Sequence, residues 1–160
     1  MPPSTQRVLS NILELDPDAQ RQYIDARAAF VAHELLAKQA ATVRGGMVWK
    51  HVKGTDYLVR TSPAGAQKSL GPRTPNAEQI YAEFTARKAK LEDRLRTTKS
   101  SLERHKRMNK ALRVGRTPSI VVHLLQALSE TGLDEHFRVV GTHALYAYET
   151  TAGVRFPSAI

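Results

Sequence analysis

Apolar residues recur at helical spacing in three stretches of this chain, and β-forming runs lie between the first two. In the first stretch Ile24, Ala28, Val31 and Leu35 step by four, three and four, which places them on one helix face. Asp16-Pro17 supplies an N-cap and a first helical residue with no N–H to satisfy, and Gly45-Gly46 supplies the stop. Upstream, Val8, Leu9, Ile12, Leu13 and Leu15 predict a short helix folded back on that face. Tyr23 and His33 fall on the flank or surface.

The pattern changes at Met47. Met47 to Val52 and Tyr57 to Arg60 are short β-forming runs separated by a KGTD turn, and Gln67 to Leu70 follows the Ser62-Pro63-Ala64-Gly65 turn. These predict a small antiparallel meander over residues 47–71. Thr74-Pro75 then repeats the cap-and-proline start, and a long helix is expected from Asn76 to about Leu112. Its stripe of Ile80, Phe84, Leu91, Leu95 and Leu102 predicts antiparallel, coiled-coil-like pairing with the first helix.

Thr117-Pro118 opens a third helix with Ile120, Val121, Leu124, Leu125 and Leu128 on one face, ending at Thr131-Gly132-Leu133. This helix is expected to bury more than any other, with His123 as a core histidine. His136 to Val140 then reads as a short buried strand, Gly141 as a tight turn, and Thr142 as the cap of a helix carrying Leu145, Tyr146 and Tyr148. A strand turning through glycine into a helix N-terminus presents free N–H groups and the positive end of the helix dipole, which suits a phosphate. Glycine and threonine also serve such turns for geometry alone.

Charge alters this picture in the middle of the chain. The net charge is +9, but residues 1–43 carry −1, residues 44–116 carry +12 and residues 117–160 carry −2. A basic block between near-neutral ends suits RNA or another polyanion, or else it is a solvated face. The candidate contacts are Arg94, Arg96, Lys99, Arg104, Lys106, Arg107 and Lys110 on the long helix. In the meander Trp49 and Tyr57 sit among Arg44, Lys50, Lys53, Arg60, Lys68 and Arg73, a mixture suited to base stacking or to packing on the helices.

The chain has no cysteine, which excludes disulfides and thiolate metal sites. It has no long apolar run and no basic-then-apolar leader, so a cytoplasmic protein without a membrane segment is expected. No phosphate-binding P-loop, paired metal-ligand histidines or nucleophile elbow is present.

The run GLDEHFRVVGTHALYAYETTAGVRF resembles the start of the nucleotidyltransferase domain in a family of bacterial, polymerase-β-type nucleotidyltransferase-fold proteins. GGMVWKHVKGTDYLVR, QKSLGPRTP and NKALRVGRTP resemble that family's N-terminal region. The resemblance implies nucleotidyl transfer from a nucleoside triphosphate (NTP) with Mg2+. The glycine turn would hold the nucleotide phosphates, and a D-x-D pair on a following strand would hold the metal. Gly141 matches the glycine, Thr142 replaces the usual small second residue, and His143 lies beside them. Glu149 is the last acidic residue, so no D-x-D follows the turn.

The expected fold class is α+β. A mainly helical region over 1–116, with a long helical hairpin and the meander, precedes the first helix–strand–helix of an incomplete nucleotidyltransferase domain over 117–160. The chain is read as the N-terminal portion of a nucleotidyltransferase-like protein, inactive alone and with no catalytic or metal-binding residue of its own. A lone strand at 136–140 would leave open edges, predicting an unstable last quarter or self-association. The alternative is a non-enzymatic, basic helical nucleic-acid-binding protein.

Overall fold

A computed structural model describes residues 12–157. The fold is α+β. In chain order the elements are β1 (Leu13–Glu14), α1 (Pro17–Ala41), β2 (Gly46–Val52), β3 (Thr55–Thr61), β4 (Gln67–Pro72), α2 (Pro75–Ala111), α3 (Ser119–Glu130), a 3-10 turn (Asp134–His136), α4 (Thr142–Ala152) and β5 (Val154–Arg155). The described residues form two compact units, one of residues 29–103 and one of residues 12–28 with 104–157.

In the 29–103 unit, β2, β3 and β4 form the expected antiparallel meander with β3 in the centre. The β2–β3 turn is shorter than KGTD. Val52 pairs with Thr55, and Lys53 (φ 48°) and Gly54 (φ 82°) alone make a two-residue turn with both φ angles positive. One sheet face meets α2, with the Trp49 and Tyr81 ring centroids 5.8 Å apart and the Arg60 guanidinium 4.5 Å over the Phe84 ring. Trp49 therefore packs on a helix. Arg60 also donates to the carbonyls of Arg44, Gly46 and Thr61, so this cation fastens the start of the sheet. Gly45 (φ 86°) has to be glycine, because a Cβ there would lie 2.0 Å from the Thr61 carbonyl oxygen.

The helix pairing appears in this unit as well, with Phe84, Leu91 and Leu95 of the expected α2 stripe but a different stripe of α1. Leu36, Val43 and Leu91 are buried, with Ala40, Phe84 and Leu95 against them, and His33 Nδ1 lies 2.9 Å from Thr98 Oγ1. The residues expected on the α1 face point away. Ile24 is 65% exposed, Leu35 58% and Val31 48%. Ala19, Gln22, Ala26, Ala29, His33, Leu36 and Ala40 of α1 are buried or half-buried and fall in alternating steps of three and four, with half-buried Gln20, Tyr23, Glu34 and Ala37 flanking them. On α2 the corresponding buried or half-buried positions are Ala77, Tyr81, Phe84, Lys88, Leu91, Leu95, Thr98, Leu102, His105 and Asn109, with Ser101 flanking Leu102, so Tyr81 replaces Ile80. This seven-residue repeat defines a coiled-coil seam. Hydrophobicity misplaced it because small and polar residues fill much of the α1 seam.

In the other unit, buried Gln22 reaches Asn109 Oδ1 (2.7 Å), His105 Nδ1 (3.2 Å) and the His105 carbonyl (3.4 Å) through its amide nitrogen. The expected helix at 8–15 is not found where the structure describes it. Leu13 and Glu14 pair antiparallel with Arg155 and Val154, and residues 8–11 lie outside the described range. Leu15 N–H donates to the Gly153 carbonyl at 2.9 Å and extends that pairing.

Two further expectations are corrected. Helix α3 has no buried residue. Ile120 is 74% exposed, Leu124 59%, and His123 lies on the surface. Its C-terminus is as expected. Gly132 (φ 71°) follows the Thr131 cap, and the Leu133 N–H returns to the Leu128 carbonyl at 2.9 Å, a Schellman ending. The strand expected at 136–140 does not form. His136 closes a 3-10 turn, and Phe137 begins an extended segment with no ladder partner among the described residues. A strand needs a neighbouring strand for its backbone groups, and no described strand pairs with this segment.

Replacing Leu91 by alanine should cost about 2–5 kcal/mol in urea unfolding, whereas Leu35→Ala should stay within about 0.5 kcal/mol. Equal losses would restore the Ile24–Leu35 stripe of α1 as its packing face. Asp56 accepts from His51 Nδ1 at 2.8 Å and pairs with Arg73. The His51 hydrogen bond, opposed by desolvation and aided by Arg73, holds its carboxyl below the ordinary 3.8. Its stabilising effect is therefore present above pH 3.8 and lost as pH falls through the lowered value. In Asp56→Asn the acid-side drop in thermal midpoint should be shallower than in the parent chain.

Candidate functional site

The glycine turn lies where the sequence places it. Gly141 has φ 73° and ψ −152°, and α4 begins at the next residue. A side chain would strain this backbone, although a Cβ would meet nothing within 4 Å. The turn thus needs glycine for its conformation and leaves open space in front of it. Thr142 is not the cap expected from the sequence. It is the first helical residue, Gly141 is the N-cap, and no side chain caps the helix. The first intrahelical bond runs from Leu145 N–H to the Gly141 carbonyl at 3.1 Å. The N–H groups of Thr142, His143 and Ala144 precede it and have no acceptor among the described residues. An uncapped helix start with its dipole directed outward is suited to an anion.

His143 is half-buried, and its Nδ1 is enclosed without a hydrogen-bond partner. The residue also lines a cleft of about 210 Å³ with Thr117, Val121, Leu125, Val139 and Tyr148. No charged side chain lines that cleft. Any fixed charge near the turn must come from elsewhere.

A largely buried charge pair lies further along α4. Glu149 is 3% exposed, and its carboxylate accepts from Arg116 Nε at 3.1 Å and from Arg116 Nη2. The same carboxylate accepts the Phe156 N–H at 2.7 Å, and Arg116 Nη2 donates to the Phe156 carbonyl at 3.2 Å. The guanidinium lies 4.8 Å over the Tyr146 ring, and Tyr146 meets His143 edge-on with centroids 6.0 Å apart. Sequence reasoning passed over Arg116 and left Glu149 without a role. The available signal was that Glu149 is the lone acid in THALYAYETTA, which has no lysine or arginine.

The described residues do not fit a magnesium site. They contain no group of three or more candidate metal ligands. Glu149, the acid carried by α4, is engaged by Arg116 and Phe156. Asp16-Pro17-Asp18 has the D-x-D spacing, but it sits at the start of α1, where Asp16 Oδ1 accepts the Asp18 N–H at 2.8 Å.

A family comparison bears on this unit. Residues 119–160 match the family model described as nucleotidyltransferase. The match spans α3, the glycine turn and α4, and it supports a nucleotidyltransferase-type family for this segment. No curated protein and no solved structure matches the chain.

The basic candidates Arg94, Arg96, Lys99, Arg104, Lys106, Arg107 and Lys110 of α2 are all exposed. Arg96 pairs with Asp93 at 2.5 Å, and the other six have no acid partner among the described residues. Among the meander cations, Arg73 pairs with Asp56 and Glu78, while Lys50 donates to Gln67. No described helix is long and apolar enough to cross a membrane.

Glu149→Ala leaves the Arg116 guanidinium without its partner and should cost about 3–5 kcal/mol, the usual range for breaking a buried pair. Chemical denaturation of the full chain measures it. A loss under about 1 kcal/mol would place the pair among surface ion pairs.

Proposed function

We propose that the segment from α3 through α4 is the phosphate-binding part of a nucleotidyltransferase, with an NTP as its ligand. The observation that carries this reading is the uncapped start of α4 behind Gly141, within the segment that matches the nucleotidyltransferase family model. In this reading Gly141 shapes the turn, the N–H groups of Thr142, His143 and Ala144 face phosphate oxygens, and the Thr142 hydroxyl adds a donor.

Nucleotidyl transfer needs carboxylates to hold metal ions at the reacting phosphates. The described residues offer none at this turn, so we infer that the chain binds an NTP without transferring it. Incubation with labelled NTPs and Mg2+ should give no incorporation, and metal-dependent incorporation would overturn this inference. Tripolyphosphate should bind the parent chain in calorimetry. Gly141→Ala, forced into a strained backbone, should bind it at least about tenfold more weakly. Equal binding by parent and variant would remove the turn from the site.

A second reading is favoured by the six unpaired, exposed cations on α2: this helix docks RNA or another polyanion. Each cation in contact with single-stranded RNA should contribute about 0.7 to the slope of log affinity against log salt. Neutralising Arg104, Lys106 and Arg107 together should flatten that slope by about 2 if all three make contact. An unchanged slope would return these residues to the solvated surface.

A further inference from the structure

We propose that Arg116, remote from the glycine turn in sequence, is a positioning residue for the anion site and acts on His143 through the Tyr146 ring. The proposal rests on the phosphate-binding reading of that turn. His143 has no hydrogen bond at Nδ1 to orient its imidazole, so packing has to hold the ring. Its aromatic neighbour is Tyr146, one helical turn along α4, in edge-on contact. Arg116 lies over Tyr146 at 4.8 Å. His143, Tyr146 and Glu149 are spaced by three residues, so they follow one side of α4, and the Arg116 guanidinium lies against the last two.

The guanidinium is itself restrained from several directions. Glu149 holds it through Nε and Nη2, and the Phe156 carbonyl takes a further Nη2 bond. A planar cation held this way covers the tyrosine ring and limits its movement. Lysine would retain the charge beside Glu149 but lose the plane and the fork. That difference separates positioning from charge balance.

The test uses the full chain, with tripolyphosphate as the probe and the His143 ring resonances as a readout that needs no ligand. Arg116→Lys should shift those resonances and weaken tripolyphosphate binding roughly tenfold, the low end for loss of an outer orienting group. Tyr146→Leu should do the same, Tyr146→Phe should match the parent chain, and the double variant Arg116→Lys/Tyr146→Leu should be no worse than either single. If Arg116→Lys does not fold, Tyr146→Leu against Tyr146→Phe decides the matter. Unchanged His143 resonances in a folded Arg116→Lys or Tyr146→Leu chain would overturn the proposal, as would additive losses in the double variant. Shifted resonances in a chain that binds no tripolyphosphate would retain the Arg116–Tyr146–His143 linkage and discard the phosphate reading.

Discussion

The unit that carries the glycine turn depends on one buried charge pair. Glu149 is almost completely withdrawn from water on a helix without other acids, and Arg116 is the cation that makes this tolerable. The pair joins three parts of the chain: the link between α2 and α3, the last turns of α4, and the segment after β5. Phe156 is fixed at both its N–H and its carbonyl, which helps hold Val154 and Arg155 in place to pair with β1. A neutral contact could hold two of these parts. A carboxylate and a guanidinium, with several acceptors and donors between them, can hold all three.

This use of Glu149 bears on the chemistry available at the turn. A helix start with free N–H groups attracts phosphate whatever lies nearby, but transfer of a nucleotidyl group needs additional charge at the reacting atoms. The acid that α4 carries is committed to architecture. Phosphate binding, as proposed for this turn, therefore makes no demand on Glu149, whereas transfer would need carboxylates besides it. The likeness to nucleotidyltransferases extends to the turn and its helices, while the carboxylates that such chemistry needs are not found among the described residues.

Much of the architecture was legible in the residues because local signals dominate there. Pro17 and Pro75 start the long helices, Lys53-Gly54 closes a hairpin, and Gly132 ends α3. Thr74 accepts the Ala77 N–H at 3.2 Å, as a capping threonine does. Long-range features were misread. The α1 seam contains alanines, Gln22 and His33, while Ile24, Val31 and Leu35 remain exposed, so apolar periodicity selected the opposite side. Phe137 to Val140 has strand composition, but composition cannot supply a neighbouring strand. The glycine turn was found from its own residues. Arg116 was not, because its partners lie 30 to 40 positions away and no local pattern marks them.

The polar layer at Gln22 also bears on the order in which the chain assembles. Its bond to Asn109 joins residues 87 positions apart, whereas the β2–β3 pairs run only from Val52–Thr55 beside the turn to Gly46–Thr61 at the far end. Closing so long a loop is entropically costly until intervening structure shortens it. The meander can shorten it, since Lys53-Gly54 brings β2 and β3 together with little loss of chain freedom. The helices then have reason to zip outward from the sheet, through Leu36 and Leu91 and then His33 and Thr98, before Gln22 meets Asn109. The segment bearing the glycine turn belongs to the unit that contains this Gln22–Asn109 layer.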